Sequence, residues 1–410
     1  MKLNRFFSAV LSAALLINLC ACNSIGPASE YPRPSTRVTS RPSHTSKPSE
    51  TPAASPEFST SPAPTPTPAT PYDKNHRLNA SIPELIDGLE MPIAGATGYT
   101  SVSLPVWPSN PNRSAQASAS AVSVWEPGVA FLILEEDGDW WRVSRGNETG
   151  WIEHRYCMIN LPDVIPSILY DDANAYSSLF ISCGKNIPGV TGEVFYHSLV
   201  YNVRLNRQEF VMPILYSAAR NICAAQHRAL AEGNCLRVYQ TFRPYDTQMA
   251  VARAMTQLAK VDPEVNAGIS TSPWSISWFI ATSVSNHQRG YALDVTMVKV
   301  YKTETRSIGA YPYLYATDFE YYEMPTVMHE LSIAAISTIS PTSSQLSDTM
   351  NEPAIALRNY FISSGLSPLA SEWWHFNDLA AMRSTENNPS DGKYFITECL
   401  SCIPELAARL

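Results

Sequence analysis

The stretch Ser285-Asn286-His287-Gln288-Arg289-Gly290-Tyr291-Ala292-Leu293-Asp294 decides how the larger part of this 410-residue chain reads. It opens with polar loop residues, turns at Gly290 and ends in an alternating run, so it predicts a loop turning into a strand. On that strand Leu293 and Val295 face a core, while Ala292, Asp294 and Thr296 face the other way. His287 and Asp294 lie seven apart across the glycine, a spacing that lets both side chains meet one point. A second cluster, Ser371-Glu372-Trp373-Trp374-His375-Phe376, supplies His375. A catalytic zinc takes three protein ligands from His, Asp or Glu and keeps one position open, and His287, Asp294 and His375 make such a set. Glu372 precedes His375 by three residues. In a fully extended strand these two would face opposite ways, so a bend or turn is expected between them.

Working outward, Leu215, Ala218, Ile222, Ala225 and Ala229 share one helical face and Gly233 follows as a stop, which predicts a helix over 212–232. Leu236-Arg237-Val238-Tyr239 alternates as a strand, Arg243-Pro244-Tyr245-Asp246 breaks it, and 247–260 returns to helical spacing before Pro263. The mixture gives the second part of the chain, 163–410, an α+β reading: an antiparallel sheet flanked by helices. His197, His227 and His329 match no ligand spacing and are read as structural. Trp373 and Trp374 are read as core or pocket wall, with Trp374 beside the ligand a candidate to exclude water.

The pattern Ser-x-His-x-x-Gly-x-Ala-x-Asp with Glu-x-x-His about 80 residues later resembles the zinc D-alanyl-D-alanine peptidases (peptidase M15), which include the vancomycin-resistance dipeptidase and carboxypeptidase enzymes. Phe242-Arg243-Pro244 is similar to that family's Tyr-Arg-Pro element. Glu323-Met324-Pro325-Thr326 is similar to the acidic-Met-Gly-Thr element of its dipeptidase branch. Phe242, Glu323 and Pro325 depart from the family's Tyr, Asp and Gly. The resemblance implies that His287, Asp294 and His375 hold one zinc ion, that Glu372 is the general base and that Arg243 stabilises the oxyanion. It further implies that Ser285 and Glu323 grip a free substrate ammonium. The expected activity is hydrolysis of D-Ala-D-Ala-type bonds in a dipeptidase-like mode. A D,D-carboxypeptidase trimming wall stem peptides and a non-catalytic wall-binding lipoprotein are the alternatives.

Ahead of this part, 96–162 changes texture. Val129 to Leu134, Trp140 to Ser144 and Thr149 to Ile152 are short strands separated by turns at Glu136-Asp137-Gly138-Asp139 and Arg145-Gly146-Asn147. Gly138-Asp139-Trp140-Trp141-Arg142-Val143 followed by Gly150-Trp151-Ile152 resembles a small all-β bacterial SH3-like barrel. That resemblance implies binding of wall peptide or of the neighbouring domain, while at least one of Trp141 and Trp151 is expected to pack the barrel.

The N-terminus carries Lys2 and Arg5, an apolar run from Phe6 to Leu19, and then Cys20-Ala21-Cys22. This reads as a signal peptide over 1–21, with Cys22 similar to the lipidated cysteine of a bacterial lipobox. Residues 22–75 read as a tether. With 12 prolines between Asn23 and Pro71, mixed with Ser, Thr and Ala, the segment cannot offset its ordering entropy by burial. The expected place is therefore outside the cytoplasm, on a lipid anchor, as a monomer. A net charge of −8 and only 29 Lys plus Arg exclude an extended basic face, so nucleic acid is not an expected partner. Hydrophobic residues at 45% and charged residues at 16% exclude wholesale disorder. Beyond Cys20 and Cys22 there remain Cys157, Cys183, Cys223, Cys235, Cys399 and Cys402, whose pairing the sequence leaves open. The Cys399-x-x-Cys402 spacing is read as a surface disulfide or free thiols rather than a metal finger.

Overall fold

Six strands form the first sheet, three of them joined by short turns, and its outermost member comes from an unexpected part of the chain. In the computed structural model, which describes residues 70–113 and 120–410, the sheet runs Pro213–Leu215, Cys157–Asn160, Thr97–Thr100, Ala130–Asp137, Trp140–Arg145, Glu148–Glu153, with every neighbouring pair antiparallel. The hairpins at Gly138 and Gly146 fall where the turn residues put them. Trp141 is fully buried, 4.7 Å from the Tyr216 ring and 6.4 Å from Phe131, whereas Trp151 stays half-buried. Ile214 pairs with Ile159, so this sheet continues past residue 163 into the second part of the chain. Tyr99, Phe131, Trp141, Ile214, Tyr216 and Trp374 all belong to one hydrophobic core. The signal peptide, Cys22 and most of the tether lie outside the described residues.

The second sheet carries the site. Its order is Ser367–Leu369, Glu372–Asn377, Ala292–Ile308, Asn234–Gln240, Leu169–Tyr170, with Tyr311–Tyr321 pairing the far half of the long strand Ala292–Ile308. All pairs are antiparallel except the two-residue edge Leu169–Tyr170, which is parallel to Asn234–Gln240. The helices Tyr216–Ala231, Tyr245–Val261 and Glu352–Ile362 flank it. The first begins four residues later than its apolar spacing suggests, because Pro213–Leu215 is taken by the first sheet. Both faces of the long strand are covered near its start: Leu293, Val295 and Met297 are buried, but so are Asp294 and Thr296.

Gly290 makes the turn into that strand. Its φ of +79° lies in the left-handed region, and an added Cβ would meet Met158 Cε at 2.8 Å. The Leu215 N–H donates to the Gly290 carbonyl at 2.7 Å, which ties the turn to the first sheet. Cys157, Cys183, Cys223, Cys235, Cys399 and Cys402 are all free thiols. Among the described residues no helix is long and apolar enough to cross a membrane.

Candidate active site

Three strands and one loop converge on Asp294. Register sets Asp294 directly opposite His375 on one side and Gln240 on the other. The loop before Gly290 brings His287 in from above, where its Nδ1–H donates to the Thr241 carbonyl at 2.6 Å. His375 Nε2–H donates to Asn377 Oδ1 at 3.1 Å, an oxygen that also accepts from Asn286 Nδ2 at 2.8 Å. His287 thus spends its Nδ1 hydrogen outward and turns Nε2 inward, while His375 turns Nδ1 inward toward the same point.

The inward atoms form a small triangle. His375 Nδ1 lies 2.9 Å from Asp294 Oδ1, His287 Nε2 lies 3.4 Å from the same oxygen, and the two nitrogens are 3.3 Å apart. Two imidazole nitrogens and a carboxylate oxygen converging at such separation make a site suited to a cation. A tetrahedral ion with bonds of about 2.0–2.1 Å needs donors about 3.3 Å apart, so this donor set fits zinc in both chemistry and spacing. All three residues are buried. Burial lowers His287 to about 4. Burial would lower His375 too, but the Asp294 carboxylate, with Glu372, raises it. Burial alone would raise Asp294; its close neighbours His287, His329 and His375 instead hold it well below the usual carboxylate range.

Glu372 reaches the same point. Its Oε2 is 3.5 Å from His375 Nδ1 although both residues belong to one strand. The expected bend is realised as a bulge: Phe376 pairs with Pro368 and Glu372 with Leu369, so three extra residues are inserted opposite a single step of the neighbouring strand. Burial, helped by the Asp294 charge, pushes Glu372 up to about 8.

Arg243 is 5% exposed and donates from Nη2 to Asp294 Oδ2 at 2.7 Å and from Nη1 to Gln248 Oε1 at 2.8 Å. Its Nε–H donates to Gln240 Oε1, and the guanidinium lies over the Phe180 ring at 4.9 Å. The chain of hydrogen bonds continues from Gln240 Nε2 to Tyr196 Oη at 2.7 Å and from that hydroxyl to Asp172 at 3.1 Å.

Burial raises Asp172 to about 7, despite hydrogen bonds from Ser198 and Tyr196 that oppose the rise. A carboxyl whose folded pKa lies above its unfolded value of about 3.9 favours the fold when protonated. Its contribution is full below about pH 4 and is lost as pH rises to 7. Urea unfolding midpoints should therefore fall between pH 4 and 7, and Asp172→Asn should flatten that fall. Equal slopes for the two proteins would remove Asp172 from the account.

The remaining expected residues divide. Ser285 sits at the head of the His287 loop, its N–H donating to Gln288 Oε1 at 2.6 Å and its hydroxyl buried without a partner. Gln288 Nε2 in turn donates to the Arg243 carbonyl at 2.5 Å, which joins the two segments. Glu323 is exposed; its carbonyl accepts from Asn351 Nδ2 at 2.7 Å, and its carboxylate has no hydrogen bond or ion pair with the site. His329, read from sequence as structural, lies inside the site: it is 1% exposed, with Nε2 3.2 Å from Asp294 Oδ2. No spacing rule finds it, because it arrives on a separate segment, bridged at Glu330 to Ile181. Trp374 packs 6.3 Å from the His329 ring and is buried, as a water-excluding wall requires.

Residues 212–389 match the family model of D-ala-D-ala dipeptidase. The matched region contains Arg243, His287, Asp294, His329, Glu372 and His375. Peptidases of this family are zinc metallopeptidases, and the inward His-Asp-His group of the D-Ala-D-Ala dipeptidase-like region is consistent with that chemistry. No curated protein matches the chain.

Proposed function

We propose that the chain is a zinc-dependent hydrolase of D-Ala-D-Ala-type peptide bonds, with His287, Asp294 and His375 as ligands and Glu372 as general base. The observation that carries this reading is the triangle of inward donor atoms with the Glu372 carboxyl 3.5 Å from one corner. Zinc bound there would polarise the scissile carbonyl and lower the pKa of water to about 7. Glu372 Oε2 would take the proton of the attacking water and return it to the leaving amine, as a carboxylate beside the metal ligands can. Arg243 supplies the fixed positive charge of the site as negative charge develops on the substrate oxygen. Trp374 and the buried flank of the long strand keep other water out.

The family match favours the free dipeptide as substrate. A second reading, D,D-carboxypeptidase action on wall stem peptides, is favoured by the exposed position of Glu323, which leaves the substrate ammonium without that carboxylate. In either mode we place the enzyme outside the cytoplasm, lipidated at Cys22 and held toward the wall by the tether, with the SH3-like module as a wall or interdomain contact. Comparing D-Ala-D-Ala with its N-acetyl derivative separates the modes. A dipeptidase loses turnover on acetylation and a carboxypeptidase keeps it. No release of D-Ala from either compound, or from a pentapeptide, by zinc-loaded protein would leave the non-catalytic wall-binding reading.

A further inference from the structure

We propose that His329 is a positioning residue of the metal site: its Nε2–H holds Asp294 Oδ2 and so keeps Oδ1 turned toward His287 and His375. This rests on the zinc reading above and adds a residue to it.

The two oxygens of Asp294 have different neighbours. Oδ2 takes Arg243 Nη2 at 2.7 Å and His329 Nε2 at 3.2 Å, whereas Oδ1 is left 2.9 Å from His375 Nδ1 and 3.4 Å from His287 Nε2. A carboxylate oxygen only accepts, so the His329 hydrogen sits on Nε2. Nδ1 is then a buried acceptor, and it has no hydrogen-bond partner. Leu or Phe would fill the same space without orphaning a polar atom. The single polar contact of the ring is with Asp294, and that contact is what the histidine provides.

The backbone agrees. His329 has φ +64°, in the left-handed region where a non-glycine residue is strained and persists only when its surroundings impose it. The turn after Phe180 imposes it. The Ile181 N–H donates to the His329 carbonyl at 3.2 Å, the Leu331 N–H donates back to Ile181 at 2.8 Å, and the Glu330 carboxylate accepts from the N–H groups of Cys183 and Gly184 at 2.6 and 2.9 Å. Phe180 itself stacks on the imidazole at 4.4 Å with 17° between the planes. One turn thus fixes both the chain direction and the ring plane of His329, and it aims Nε2 at Asp294. Hydrogen bonds that orient a metal ligand in this way are typically worth 10–100-fold in metal affinity.

Zinc affinity of the full chain, measured by competition with a chelating dye, tests this. His329→Leu should raise the zinc Kd by about 10–100-fold, while the urea midpoint of the metal-free protein stays at or above that of the wild type. His329→Gln, whose amide N–H can reach the same oxygen, should stay within a few-fold of wild type. Should His329→Leu fail to fold, His329→Asn replaces it, since its shorter amide cannot reach Asp294, and it should bind zinc more weakly than His329→Gln. Wild-type affinity in His329→Leu, or equal affinity in the Asn and Gln variants, overturns the proposal. A wild-type chain that takes up no zinc overturns the metal-site reading instead, and this proposal with it.

Discussion

Glu372→Gln is expected to keep zinc and to lower kcat on a D-Ala-D-Ala substrate by about 10²–10⁴-fold, the range that a positioned acid-base group supplies. The change preserves shape and volume, so the bulge that carries residue 372 to within reach of His375 stays in place. It also leaves the hydrogen bonds of all three ligands untouched, because Glu372 makes none that orients them. What disappears is an oxygen able to accept a proton at a buried position and give it back. Parallel measurement of bound metal and kcat separates the two effects. Retention of activity within a few-fold would remove Glu372 as the base.

Asp294→Ala should have the largest effect on the folded protein. It removes a ligand and at once strands the buried Arg243 guanidinium, whose partner lies at 2.7 Å in the intact chain. Removing one member of a buried pair typically costs about 3–5 kcal/mol, since the other charge is left without compensation. His329 loses its only polar contact in the same step. Urea unfolding of the metal-free proteins reads this cost directly. A variant as stable as the wild type would show that the Arg243–Asp294 pair does not hold the site together. Asp294→Asn should lie between the two, because it keeps volume and hydrogen bonding while dropping the charge.

The residues that reach these outcomes were not equally legible in the sequence. His287 and Asp294 could be brought together from sequence because their geometry is local, a glycine turn feeding a strand, whereas His375, 81 residues on, was read from a second motif and meets Asp294 through a long-range strand pairing. The need for Glu372 to leave the extended path was also readable, from side-chain alternation alone. Its form as a bulge depends on Leu369 and Pro368, which no local rule connects to it. The start of the helix at Tyr216 was hidden for a related reason. Pro213–Leu215 fits the apolar spacing of the helix, yet pairing with Cys157–Asn160 wins, a long-range contact that outweighs local propensity. Arg243 was found by its motif, but its grip on Asp294 was not, because it requires the return of the chain at residue 294.

Glu323 and His329 show the limit most clearly. They sit six residues apart, and the motif drew attention to the first, which the structure leaves exposed. The second is drawn in by the turn at Phe180–Gly184, nearly 150 residues upstream, so no window of sequence around it carries the signal. The thirteen-residue span from Trp140 to Ile152 lies at the other extreme, since strand, turn and strand are all set by neighbours.

The proposed chemistry depends on one metal ion held by two imidazoles and Asp294, and the zinc content of the purified chain tests that most directly. Wild-type protein and Asp294→Ala, purified side by side and measured by atomic absorption, should carry one zinc per chain and essentially none. A wild type without zinc, or an Asp294→Ala protein that retains its full complement, would contradict it.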